Sequence, residues 1–336
     1  MYGIMSDIHF HDWSNFSSVN ENGINTRLQE TIDAANEACE KLRELGGSRM
    51  YLAGDLFHVR GSLKPSVMNP VIDFFKSQEE IEFFSIPGNH DLETNDTTRI
   101  GDALGALESL PNFTVAREPS YFGNEVMIPW TPKIDDLMKT LKEFASPYGT
   151  AIIHAPLNGV IMNIPDHGLS AEKLGELGYK AIFCGHYHNA KKFDNNVISV
   201  GALTHQTFSD VKAVAGFWIV DGESRLHMKT SAPKFVDVID EYDEDAIKNN
   251  YVRLKINQAM KESEIQEIRE ELMQHARGAV IQAKPEQIIS RPGTSSNNEV
   301  KTLSEHVAGW ISDQKIKDPN VLKEALDVLT ELEGVS

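Results

Sequence analysis

A two-layered α/β fold, with two sheets packed face to face and flanked by helices, is predicted by three features of this 336-residue sequence. Short apolar runs bounded by turn-forming residues recur from Tyr2 to Lys229. The first of them alternate with segments of helical period, a βαβαβ opening that pairs strands in a sheet with helices on its faces. The later runs follow one another as hairpins do and add antiparallel strands.

Taken in order, Tyr2–Ser6 opens as a strand. Within Ile24–Leu45, the residues Leu28, Ile32, Ala35, Cys39 and Leu42 recur at helical spacing, and Gly46-Gly47 stops that helix. Arg49–Ala53 is the next strand, then a helix near Pro65–Ser77 and a strand at Glu82–Ile86. Further strands are expected at Phe113–Ala116, Glu125–Ile128, Thr150–Ile153, Ala181–Cys184, Val197–Val200, Phe217–Val220 and Arg225–Lys229. Helices at Asp135–Phe144 and Ser170–Leu177 lie among them. The acidic stretch Asp237–Asp245 marks a change of character. A small βαβ-like unit follows it, with strands Tyr251–Ile256 and Ala279–Ala283 around a charged helix, Glu262–His275. Ser290–Asn298, rich in Ser, Asn, Pro and Gly, reads as a linker. Beyond it Val300, Leu303, Val307, Trp310 and Ile311 form one amphipathic face, and Leu322, Ala325, Leu326, Leu329 and Leu332 a second. The expected organisation is a core domain over 1–233, a small α/β capping domain over 234–289, a linker over 290–298 and a helix-loop-helix over 299–336.

Composition narrows the function classes. Only two cysteines occur, Cys39 and Cys184, which excludes a disulfide framework or zinc finger and makes a reducing cytoplasm the expectation. No apolar run is long enough to span a membrane, and the N-terminus lacks the basic start of a signal peptide. The net charge of −18 is spread along the chain, so there is no bulk attraction for phosphate backbones. Any nucleic-acid substrate must find its positive charge in metal ions, a local basic patch or a partner. The scattered basic candidates are Arg60, Lys64, Lys191, Lys192 and Lys212.

Histidine carries the chemical signal. Nine of the 12 histidines precede residue 206, most of them just after an apolar run, where side chains meet at the carboxyl edge of a sheet. Four motifs follow in order: Ser6-Asp7-Ile8-His9, Gly54-Asp55-Leu56-Phe57-His58, Gly88-Asn89-His90-Asp91 and Gly185-His186-Tyr187-His188, the last preceded by His154. They supply carboxylates, an amide oxygen and imidazoles, a donor set for two divalent ions such as Mn²⁺ rather than for Mg²⁺ alone or a thiolate zinc site. His11, His167, His227, His275 and His306 read as ordinary solvated or hydrogen-bonded residues.

These motifs resemble those of the calcineurin-like metallophosphoesterases over most of residues 1–230. The run Ala53–His58 is similar to that of the nuclease subunit of SbcCD-type double-strand-break repair complexes. The short chain is similar to phage members of that group. The GDxVDRG and GNHE motifs of protein Ser/Thr phosphatases are absent. The resemblance implies that Asp7, His9 and His188 hold one metal, that Asn89, His154 and His186 hold the other, and that Asp55 bridges them. His90 would act on the scissile phosphate or leaving oxygen without ligating, supported by His58, and His205 is a candidate phosphate contact. Two ions about 3.5–4 Å apart would lower the pKa of a bridging water for in-line attack. The implied function is a Mn²⁺-dependent DNA exonuclease and endonuclease, a homodimer acting with an SbcC-like coiled-coil ATPase that the helix-loop-helix binds. A small-molecule phosphodiesterase or phosphatase of the same superfamily is the alternative.

Overall fold

Alternate residues of the central strands face opposite cores, which is why their sequences are apolar throughout. The computed structural model describes residues 1–94, 101–162 and 165–285. One sheet contains β1 (Tyr2–Met5), β2 (Arg49–Leu52), β3 (Glu82–Ser85), β4 (Phe113–Val115), β11 (Gly216–Asp221) and β12 (Ser224–Lys229), in the order β12-β11-β1-β2-β3-β4. The second contains β5 (Ser120–Phe122), β6 (Glu125–Ile128), β7 (Thr150–His154), β8 (Ala181–Gly185), β9 (Lys191–Lys192) and β10 (Val197–Ser199), in the order β5-β6-β7-β8-β10-β9. β1–β4 pair in parallel, as do β6, β7, β8 and β10, and antiparallel strands close the edges.

Ile4, Tyr51, Ile86, Met127, Ile152, Phe183, Ile198 and Trp218 fill the space between the sheets. Their chain neighbours turn outward. Met5, Met50 and Leu52 pack against helices α1 (Thr26–Glu44) and α2 (Pro65–Ser77), and Ala151, Ile153 and Cys184 against α3 (Ile134–Glu143) and α4 (Ala171–Gly175). In α1 the expected stripe Leu28, Ile32, Ala35, Cys39 and Leu42 is buried, and the Asn25 side chain caps the helix by accepting from the amides of Arg27 and Leu28. The two-sheet α/β sandwich flanked by helices is therefore the fold. β5 and β9 have no counterpart in the sequence reading. Both are short edge strands with exposed residues, so they lack an apolar run.

A third sheet, β13 (Phe235–Ile239), β14 (Tyr251–Met260) and β15 (Gly278–Pro285), is parallel throughout and carries α5 (Glu244–Ile247) and α6 (Glu262–Leu272). β13 falls at the edge of the acidic stretch that reads as a boundary. It is a strand because Asp237 is neutralised across the sheet: its carboxylate accepts from Arg253 Nε and Nη2, both at 2.7 Å, and from Lys255 Nζ at 2.6 Å. This sheet is part of the same compact unit as the sandwich, Met1–Glu286. The linker and the paired amphipathic segments expected after it lie outside the described residues, as does His306. Among the described residues no helix is long and apolar enough to cross a membrane.

Candidate metal centre

The chain stays paired beyond the ends of β1 and β2, and this brings the first two motifs together. Asp7 N donates to Gly54 O (3.1 Å), His9 N to Asp55 O (3.1 Å) and Phe10 N to Leu56 O (2.8 Å). Asp7, His9, Asp55 and His186 all hold left-handed backbone conformations, with φ of 49°, 51°, 53° and 110°. Such conformations cost free energy in non-glycine residues and persist where the surroundings impose them, typically at functional sites. Gly88 lets the third motif approach, since a Cβ there would collide with Asp55.

All seven expected ligand residues meet at this edge. Ligand atoms of Asp7, His9 and His188 lie within 4.8 Å of one another, as do those of Asp55, His154 and His186. Asn89 Oδ1 is 3.0 Å from His154 Nε2 and 2.9 Å from His186 Nδ1. Asp55 Oδ2 is 3.4 Å from His154 Nε2 and 3.7 Å from His9 Nε2, so one carboxylate faces both groups. The expected auxiliary residues are adjacent. His90 Nδ1 donates to the His58 carbonyl (2.8 Å), and the two rings stack at 5.5 Å and 13°. His58 thus reaches His90 through its backbone as well as its ring.

The donor chemistry fits metal ions. His154 Nδ1 lies 2.8 Å from the Ala53 carbonyl and must donate to it, which leaves Nε2 with a lone pair in the neutral ring. That lone pair converges with the oxygens of Asn89 and Asp55, and three acceptors with no proton among them mark a place for a cation. Asp7 and Asp55, 0% and 2% exposed, have no Lys or Arg within ion-pair distance among the described residues. Burial raises the Asp7 carboxyl, helped by the charge of Asp55. Burial acts the same way on Asp55, but the imidazoles of His154 and His9 outweigh it and hold Asp55 low. Burial alone would depress His154, yet the facing Asp55 pushes it up to about 9, a proton standing where positive charge belongs. Burial lowers His9 well below its usual range, lowers His186 to about 3 and, with the nearby His11, lowers His58 to about 4. Burial therefore favours neutral His9, His186 and His58, while the facing carboxylates overcome burial and draw His154 and His188 toward the charged form, positive charge that divalent ions would supply instead.

Three supporting residues have no role in the sequence reading. Asp210 accepts from His188 Nδ1 (2.9 Å) and from the amides of Gln206 and Thr207, and so orients the imidazole from behind. Asp91 accepts from the amides of Leu56 (3.2 Å), Phe57 (2.9 Å) and Gly88 (2.8 Å), fastening the second motif to the third. Trp130 lies parallel to the His186 ring at 5.5 Å and 20°. Only Asp91 sits in a motif; the other two could be found only from the folded chain.

Other expectations need correction. His205 is not placed to contact phosphate: it is buried, with Nε2 donating to Ala213 O (3.0 Å) and Nδ1 accepting from Phe235 N (3.2 Å), a tie between the sandwich and β13. His11 is more than a solvated histidine, since its ring packs 4.9 Å from that of His58. Lys64 pairs with Asp12 (2.7 Å), and Lys191 donates to Gly159 O (2.6 Å).

Residues 2–190 match the model of the calcineurin-like phosphoesterase family. No curated protein sequence matches this chain. Among solved structures, similarity is found to a Pseudomonas putida nuclease, MPE, at 16% identity and TM-score 0.28, covering 59% of this chain and 66% of that one, just under two thirds. A dimetal phosphatase from Danio rerio is similar at 11% identity and TM-score 0.34, over 60% of this chain and 87% of that one. With more than half of its length matched by the family model and the motif residues gathered at one sheet edge, the chain belongs to the calcineurin-like phosphoesterases.

Proposed function

We propose that this protein is a Mn²⁺-dependent DNA exonuclease and endonuclease, working as a homodimer with an SbcC-like coiled-coil ATPase in DNA end processing. The observation that carries the reading is the meeting of two three-ligand groups across Asp55 and Asn89, beside a His90 ring anchored on the His58 carbonyl. Asp7, His9 and His188 would hold one ion and Asn89, His154 and His186 the other, with Asp55 shared. When bound, such ions supply Lewis-acid charge to a phosphodiester and an acidified water to attack it. The chain's own residues do the rest. The Ala53 carbonyl and Asp210 fix which nitrogens of His154 and His188 face the cluster. Because His90 Nδ1 donates to a carbonyl, only Nε2 is left to act on the phosphate or leaving oxygen, and it donates a proton only from the imidazolium.

The choice of DNA rests on the Ala53–His58 run and on the layer built by β13–β15 beside the sandwich, an addition that hydrolysis of a small ester does not need. The test compares linear duplex DNA with bis-p-nitrophenyl phosphate, with and without Mn²⁺. Mn²⁺-dependent DNA cleavage is expected, and Asp55→Asn is expected to abolish it and weaken metal binding measured calorimetrically, with the circular dichroism spectrum retained. Hydrolysis of the small ester without DNA cleavage favours a small-molecule phosphodiesterase. Full activity of Asp55→Asn overturns the two-ion reading.

A further inference from the structure

Next to the metal cluster lies a cavity of about 350 Å³, within the range of about 300–1,000 Å³ usual for small-ligand sites. Its walls are aromatic, formed by Trp13, Phe16, Phe208 and Phe235, with Gln206 and Thr207 also lining it. Arg27 also lines it and is only 5% exposed. The guanidinium sits 4.7 Å from the Trp13 ring and 5.1 Å from that of Phe235. It donates to the Gln206 carbonyl at 2.6 Å and to that of Asn15 at 3.4 Å. Among the described residues no carboxylate pairs with it. Tyr251 adds a third ring at 5.3 Å, and Glu30 and Asp210 act on the guanidinium only through their fields, without an ion pair. A buried cation with only two carbonyl acceptors thus lines the cavity, where an acceptor-bearing ligand would add to its partners.

The pocket is braced by packing and linked to the expected metal ligands. Phe16 holds an unusual left-handed backbone (φ 57°), and its ring is clamped between Tyr251, stacked at 5.4 Å, and Gly278, where a Cβ would collide with it. The Trp13 ring lies 4.6 Å from that of His58. Gln206 Nε2 donates to the Asp7 carbonyl (2.9 Å), and Asp210 links the Gln206 amide to His188.

We infer that this pocket holds a nucleobase of the substrate strand, stacked on the aromatic wall with its acceptor edge toward the Arg27 guanidinium. The inference rests on the DNA reading above and names the part of the substrate recognised there. Aromatic side chains take any base by its π-face, and a guanidinium selects bases with paired acceptors, guanine foremost. The pocket also places a positive charge beside the site of a chain that carries −18 overall.

The test is calorimetric binding of dGMP to the full chain in EDTA, where no metal contributes and no hydrolysis occurs. Wild-type protein is expected to bind dGMP more tightly than deoxyribose 5-phosphate, Phe208→Ala to weaken dGMP on the order of tenfold or more, and Phe208→Tyr to retain it. Equal binding of the two probes, no binding of dGMP, or wild-type affinity in a folded Phe208→Ala each overturns the proposal. Binding of dGMP by a protein that leaves DNA intact supports the pocket and overturns the nuclease reading. DNA cleavage without dGMP binding does the reverse.

Discussion

The His90 ring is held by the main chain of His58, and in the proposed mechanism the two residues would share one task. The proton on His90 Nδ1 is committed to the His58 carbonyl, so the ring's orientation is set by a group that mutation of the His58 side chain leaves in place. His90→Ala is expected to lower DNA hydrolysis on the order of 10²-fold or more while both metals stay bound, read by elemental analysis. His58→Ala keeps the carbonyl but loses the stacked ring and its Nδ1 contact with His9 Nδ1 (3.3 Å), so a smaller loss in rate is expected, with some weakening of metal binding at His9. Equal losses with both metals still bound would mean that the His58 ring itself acts on substrate, and loss of a metal from His90→Ala would make His90 a ligand. That these two histidines belong to the site was readable from their motifs. The carbonyl contact was not, because it joins residues 32 positions apart and involves no side chain of His58.

At the scale of elements, the site is built from loops that leave parallel strands in strained conformations and are then fastened to one another. Asp91 is the fastener between the loop after β2 and the loop after β3. Its carboxylate is wholly enclosed, and it takes three amides that otherwise have no partner. Asp91→Ala is expected to leave those amides buried and unsatisfied, at about 1–3 kcal/mol each. Urea denaturation should show a loss of several kcal/mol, and metal affinity should fall with it because Asp55 and Asn89 flank the fastened segments. A variant with wild-type stability would show that the amides find water. The turn glycines around Asp55 and Asn89 mark these loops in the sequence, but the partner of Asp91 is not marked, since amides carry no signature.

For the whole molecule, the proposed function raises the question of how so acidic a chain would engage DNA and a partner. The compact unit spans Met1–Glu286, and the two amphipathic stripes lie beyond it in sequence. Segments of about 12 residues are marginal as isolated helices in water, and Trp310 with its aliphatic neighbours is a large apolar stripe to leave without a partner. Helix-in-groove docking uses anchors of this spacing. A chain cut after Pro292 is therefore expected to keep Mn²⁺-dependent nuclease activity and to fail to co-purify with an SbcC-like ATPase. Undiminished binding of the ATPase by the cut chain would place the docking surface within residues 1–292.

The sequence by itself determined the order of the sandwich's helices and of its strands apart from the edge strands β5 and β9, the buried stripe of α1 and the motifs whose residues meet at the sheet edge. These rest on periodicity and turn chemistry, which are written within a dozen residues of each position. Only the tertiary structure decided that His205 ties β13 to the sandwich instead of facing phosphate, that Asp237 sits in a strand, and that Asp210 and Trp130 hold two of the imidazoles. It also decided that Trp13, Phe235 and Tyr251 surround one arginine. Each of these depends on pairing between distant segments, where a charge in an acidic run is cancelled across a sheet or an apolar ring is left facing a cavity. Local pattern cannot carry that, because burial and hydrogen-bond partners are properties of the packed chain.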